Sequence, residues 1–245
     1  MNYCILNGKK STMVKGLMIQ SLPSIIKPKI RTRIEEIDGR DGDIVTKLGY
    51  SAYDKEMSIG LFGDYDIAEV ARYFDQEGEV IFSNELDRKY RFQILDQIDY
   101  ERLGRFRQAV VKFHVQPFKY PTVNDRVILN PNQDTTAIAQ VFNYGNVYSR
   151  PTLEISSVDM GITITFGTEL RNGDIYNGNH FSILLHPGSM IIDLENMTAL
   201  NGSGVSEMRF VFGDLSKMKL EPGLNYVKWN NRFATTIMKN VSRWI

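Results

Sequence analysis

Along this chain apolar residues alternate with polar ones more often than they recur at helical spacing, a pattern that predicts a mainly β protein. Apolar runs at Tyr3–Leu6, Gly16–Leu22 and, with turns between, Ile44–Ile59 are punctuated by Gly, Pro and Asp and read as strands. Asn7-Gly8 is a hairpin signal, because both residues tolerate the positive φ of a tight turn. One helix stands out at Asp64–Glu77, where Ile67, Val70, Ala71 and Phe74 fall on one face. Asp66 followed by Glu69 has capping-box spacing, and Gly78 suits the left-handed residue that ends a helix.

After Val80–Phe82, two extended segments, Lys89–Tyr100 and Arg105–Phe118, form a long hairpin turning at Glu101–Gly104. Tyr90, Phe92, Ile94 and Ile98 alternate with polar neighbours in the first, and Val111, Phe113 and Val115 mark the inward face of the second. Pro117, Pro121 and Pro131, with Asn124, Asn130 and Asn132, break the pattern and mark a domain boundary. Residues 1–120 are thus expected to form an α+β unit with a single helix, and 121–245 a second domain. In the latter, β-rich runs recur at Val127–Leu129, Ala137–Phe142, Thr152–Ile155, Ile162–Phe166 and Phe181–Leu185. They continue at Ile191–Leu194, Met208–Phe212, Tyr226–Trp229 and Ala234–Met238, and their even spacing predicts an antiparallel β-sandwich.

Composition narrows the partners. A hydrophobic share of 42% over 245 residues is enough to bury real cores and argues against disorder. Bases and acids balance at 29 each, so no global field draws the chain to nucleic acid or an anionic bilayer. The N-terminus lacks the basic start and long apolar stretch of a signal peptide, and no apolar run approaches the ~20 residues that cross a membrane. These features lead us to expect synthesis and assembly in a cytoplasm without a membrane anchor. Cys4 stands alone and reads as a small half-buried apolar residue.

Candidate chemistry is sparse. No phosphate-binding loop, dinucleotide fingerprint or nucleophile elbow occurs, and His114, His180 and His186 are isolated from one another. The acids of Asp38-Gly39-Arg40-Asp41-Gly42-Asp43 have the wrong spacing for a calcium loop and read as a two-glycine turn. No catalytic residue, metal or cofactor is expected. Phe142, Tyr144, Tyr148, Tyr176, Phe181, Trp229 and Trp244 could line a sugar-binding face, although such aromatics more often fill the space between sheets. Lys27, Lys29, Arg31 and Arg33 alternate with Pro28, Ile30, Thr32 and Ile34, so an extended chain sets four positive charges along one edge. That stripe is either a solvated edge protected by charge or an arm that docks on an acidic face of a neighbouring subunit. Glu69, Asp75, Glu77 and Glu79, on or just after the helix, are the acids expected to face it.

Taken in order, these parts resemble the distal tail protein (Dit) family of siphophages over nearly the whole chain. The resemblance rests on the glycine-rich turn Asp38–Gly42, the single helix after it, and the closing segment Phe113-His114-Val115-Gln116-Pro117-Phe118-Lys119-Tyr120. In the second half it rests on Asn143-Tyr144-Gly145-Asn146 with Arg150–Ile155, on Ile191-Ile192-Asp193-Leu194, and on Leu220-Glu221-Pro222-Gly223-Leu224-Asn225. It implies an N-terminal β-sandwich that forms a homo-hexameric ring and a C-terminal galectin-like sandwich pointing outward. It also implies a place in the virion tail tip, between a tail-tube protein and a tail-associated hub or lysin, with receptor-binding proteins at the periphery. DNA would pass through the lumen unbound. Some members carry inserted carbohydrate-binding modules, for which 245 residues leave no room. The other reading compatible with these residues is a stand-alone lectin-like module for adhesion to a host cell surface.

Overall fold

The computed structural model describes residues 1–123, 125–129, 138–156, 161–184, 188–230 and 235–245. Asn124, Asn130, Pro131 and Asn132 of the expected boundary, and His186, lie outside them. The chain divides into two compact units, Met1–Thr122 with Ile245, and Val123–Trp244.

The first unit contains β1 (Cys4–Leu6), β2 (Lys9–Lys10), β3 (Leu17–Ser21), β4 (Ile30–Glu36), β5 (Asp43–Tyr50) and β6 (Tyr53–Leu61). Helix α1 (Ile67–Phe74) follows, then β7 (Gly78–Phe82), β8 (Arg88–Gln93), α2 (Tyr100–Phe106) and β9 (Gln108–Pro121). Seven strands form one antiparallel sheet in the order β2-β1-β7-β8-β9-β6-β3, and β4 and β5 pair only with each other. Strand β9 bends this sheet around a core. Its first part pairs with β6 through Gln108–Val115, and its last part pairs with β8 from His114 to Pro121. A strand that changes partners along its length turns a corner, so the inner faces of both ends meet. Phe113 accordingly packs edge-on against both Phe82 and Phe92, at centroid distances of 5.5 and 5.4 Å.

Val70 and Phe74 of the expected helical stripe are buried, and Tyr73 joins them, its hydroxyl donating to the Cys4 and Lys9 carbonyls. Asp66 caps the helix by accepting from the Ala68 and Glu69 amides at 2.8 and 3.3 Å. Two expectations fail here. The helix stops at Phe74, and Gly78 instead opens β7, where an added Cβ would lie 2.2 Å from the Asn7 side chain. The predicted hairpin turn at Glu101–Gly104 is inside a second helix, α2, capped by Asp99, with Leu103 fully buried. Its seven residues bury one apolar side chain only, too little for a periodic signal.

The second unit contains β10 (Arg126–Leu129), β11 (Ile138–Asn143), β12 (Thr152–Ile155), β13 (Ile162–Gly167), β14 (Leu170–Arg171) and β15 (Asp174–Ile175). It continues with β16 (Asn179–Ile183), β17 (Met190–Asp193), β18 (Thr198–Asn201), β19 (Val211–Gly213), β20 (Gly223–Trp229) and β21 (Thr236–Lys239). Two five-stranded antiparallel sheets, β10-β21-β12-β17-β18 and β11-β20-β13-β16-β19, enclose one core, as the alternation predicted. Leu153, Ile155, Ile192 and Met238 of the first sheet share that core with Ile164, Phe166, Phe181 and Trp229 of the second.

Candidate interaction surfaces

The hairpin of β4 and β5 is the least buried structure in the described residues of the first unit. Its turn is the two-glycine turn read from Asp38–Asp43, with Gly39 and Gly42 at positive φ and Glu36 facing Asp43 at the mouth. Alternation gives it two unlike faces. On one face Ile34 and Val45 are directly opposed and 58% and 56% exposed. On the other stand Arg31 and Arg33, the latter ion-paired with Glu35 at 2.7 Å. Leu48, at a bulge in the register, and Ile37, in the turn, add further exposed apolar surface. A two-stranded ribbon that buries neither face is marginal by itself and gains order when something covers it.

The basic stripe is therefore only partly a strand feature. Arg31 and Arg33 share one face of β4, whereas Lys27 and Lys29 precede the strand, in the segment that feeds it. Of the expected acids, Glu69 lies 3.5 Å from Lys9, Glu79 pairs with Lys89 at 2.8 Å, and Glu77 accepts from Gln93 at 2.8 Å. Asp75 is exposed at the C-cap of α1. Three of the four acids thus already have partners in their own unit.

The ribbon's root is held more firmly than its tip. Lys55 of β6, 3% exposed, donates to the Ser24 carbonyl at 2.6 Å, and Asn84 donates to the Pro23 carbonyl at 3.0 Å. Tyr50 packs edge-on against Phe118, and the Ser51 amide donates to the Lys29 carbonyl. Burial pushes the Lys55 ammonium down to about 8, a fall opposed by Glu85 and reinforced by Lys119. Glu85 in turn accepts from Lys119 at 2.9 Å and from the Tyr90 hydroxyl. Alternation with Met57 and Ile59 puts Lys55 on the buried face of β6, a signal that the ordinary solvent-facing preference of lysine masks in the sequence.

Among the described residues, no three His, Cys, Asp or Glu side chains converge at metal-binding distance. His114 shares a hydrogen bond with Asp54 at 2.8 Å beside Lys112 on the exposed sheet face. The Cys4 thiol is buried and pushed up to about 11, so it is protonated and unreactive at neutral pH. No helix of the described residues is long and apolar enough to cross a membrane. The aromatics of the second unit divide: Phe181 and Trp229 are core, whereas Phe142, Tyr144 and Tyr176 are exposed.

No family model matches the chain, and no curated protein matches it. Solved structures do. The Dit protein (gp 19.1) of phage SPP1, described as a paradigm of the hub adsorption apparatus in phages infecting Gram-positive hosts, is similar over 100% of both chains, with TM-score 0.65 and 17% identity. Two structures of the phage P2 baseplate in its activated conformation, with Ca and with Sr, are similar over 98% of this chain, with TM-scores 0.50 and 0.52 and 13% identity in each. Both units therefore share, in one chain, the fold of phage hub and baseplate proteins.

Proposed function

We propose that this protein is a non-enzymatic structural component of a phage tail tip, a ring-forming hub that belongs to the distal tail protein family. The observation that carries the reading is the full-length likeness to the SPP1 hub protein, which spans both units and their order. A likeness confined to one β-sandwich would say little, since that architecture hosts many functions. The exposed ribbon supports the same reading, because its open apolar face is what a subunit contact would cover.

In this reading residues 1–120 assemble six copies into a ring and residues 121–245 form a galectin-like domain at the periphery. The ring joins a tail-tube protein to a tail-associated hub or lysin, receptor-binding proteins attach outside, and DNA passes through without specific contacts. Lys27, Lys29, Arg31 and Arg33 then contribute electrostatic register against a neighbour. Each exposed pair is worth ~0.2 to 1 kcal/mol, but a ring repeats it at every interface.

Native mass spectrometry of the full chain tests the reading: a hexamer is expected. Reversing all four bases should shift mass toward monomer, more at low salt than at high. A chain that remains monomeric at every concentration, with and without a tail-tube protein, would overturn it.

A further inference from the structure

We propose that the second unit binds a neutral oligosaccharide in the groove between the β14–β15 hairpin and the outer face of strands β20, β13 and β16. The groove encloses about 520 Å³. It is independent of the ribbon, and the inference does not depend on ring assembly.

The wall of this groove is held against the sheet by close packing. Asn172 and Gly173, both at positive φ, turn β14 into β15, which leaves Ile175 opposite Leu170. Ile175 then sits against the sheet where Gly167 and Gly178 have no side chains; an added Cβ would lie 2.3 and 2.7 Å from its Cγ2. Side chains at both positions would lift the hairpin. The glycines therefore set the wall's position, and with it the groove's width.

Registered polar side chains make the floor. Lys228, Thr165 and His180 lie side by side on three adjacent strands. In the next row Thr163 and Ser182 are opposed, their hydroxyls 2.8 Å apart, and the Asn230 side chain accepts from the Thr163 amide at 2.6 Å. Beyond Ser182 comes Phe212, 52% exposed, which offers a ring at the end of the row.

The chemistry of these groups selects the ligand. Lys228 is 2.8 Å from Asp174, whose carboxyl this contact and the Ile175 amide hold below the usual carboxylate range. The pair is balanced, so a phosphate or sulfate meets no net positive field. A peptide cannot add to β13 as a strand, because β13 is already paired on both sides. The hydroxyl and imidazole floor gives an apolar ligand little to bury against. Threonine and serine hydroxyls and a histidine ring both donate and accept, which matches a ligand with many hydroxyls and no charge, and Phe212 matches the apolar face of a sugar ring.

Titration calorimetry and saturation-transfer NMR of the full chain, with neutral oligosaccharides of glucose, galactose, rhamnose and N-acetylglucosamine, test this. At least one should bind weakly, and Thr165→Val and His180→Ala should each weaken it about tenfold with the melting temperature unchanged. Tyr144→Ala, an exposed ring outside the groove, should leave binding as it was. Absence of binding across the panel would overturn the proposal. So would binding that survives both groove substitutions or is lost only with Tyr144→Ala. Preference for a phosphorylated sugar over its neutral counterpart would overturn the ligand class. A chain that binds sugar but stays monomeric would uphold this site and remove the ring reading; a ring that binds no sugar would do the reverse.

Discussion

Strands β13 and β4 alternate apolar and polar residues in the same way, yet Ile162, Ile164 and Phe166 are sealed in a core while Ile34 is open to solvent. The difference is the presence of a facing layer. β13 lies central in a five-stranded sheet with a second sheet over its inner face, whereas among the described residues β4 pairs only with β5 and most of its residues are exposed. The same local pattern yields stability in one place and an available surface in the other. Which outcome follows depends on residues tens of positions away in the chain, such as Ile192 and Met238 for Ile164.

The largest effect expected from this contrast is in the sandwich. Phe181 is fully buried, and Phe181→Ala should cost ~3 to 5 kcal/mol in urea unfolding, enough to unfold much of the second unit. A cost as small as a surface substitution's would mean the two sheets do not enclose it.

Next in size is the ribbon's root, where the buried group is a charge. The folded-state value of Lys55 lies near 8, below the unfolded value of 10.5. Between these values the unfolded chain binds more protons, so the Lys55 contribution makes stability rise with pH through that window and changes nothing below it. Cys4, raised from 9.0 to about 11, acts in the opposite direction over part of the same range. Wild type must therefore be compared with Lys55→Met, and the difference should shift by roughly 1 to 3 kcal/mol between pH 8 and 10. Parallel pH profiles would show that Lys55 is solvated.

Smaller again is the helix cap of the first unit: Asp66→Ala should cost ~1 kcal/mol. Least is the ribbon tip. Replacing Ile34 and Val45 by Thr should move folding stability by no more than ~0.5 kcal/mol, as for other exposed positions, while lowering the assembled mass if the ribbon is a subunit contact. A large loss of folding stability would show that this face is covered within the monomer.

Much of the fold was legible in the sequence. Val111, Phe113 and Val115, Val70 and Phe74, and the Asn7-Gly8 turn are where alternation, helical spacing and turn chemistry placed them. Helix α2 was missed because one buried leucine in seven residues leaves no period to detect, although Asp99 before it is a capping residue. The β14–β15 hairpin was missed although Asn172-Gly173 carries the same turn signal as Asn7-Gly8; its strands, two residues each, are too short to alternate.

By itself, then, the sequence determined the mainly β class, the positions of most strands and the polar balance, because these depend on neighbours within a few residues. Only the tertiary structure decided that Lys27 and Lys29 leave the strand that carries Arg31 and Arg33, and that Glu69, Glu77 and Glu79 already have partners at home. It alone brought Thr165, His180 and Lys228 into one row, since strand register is set by the packing of whole sheets.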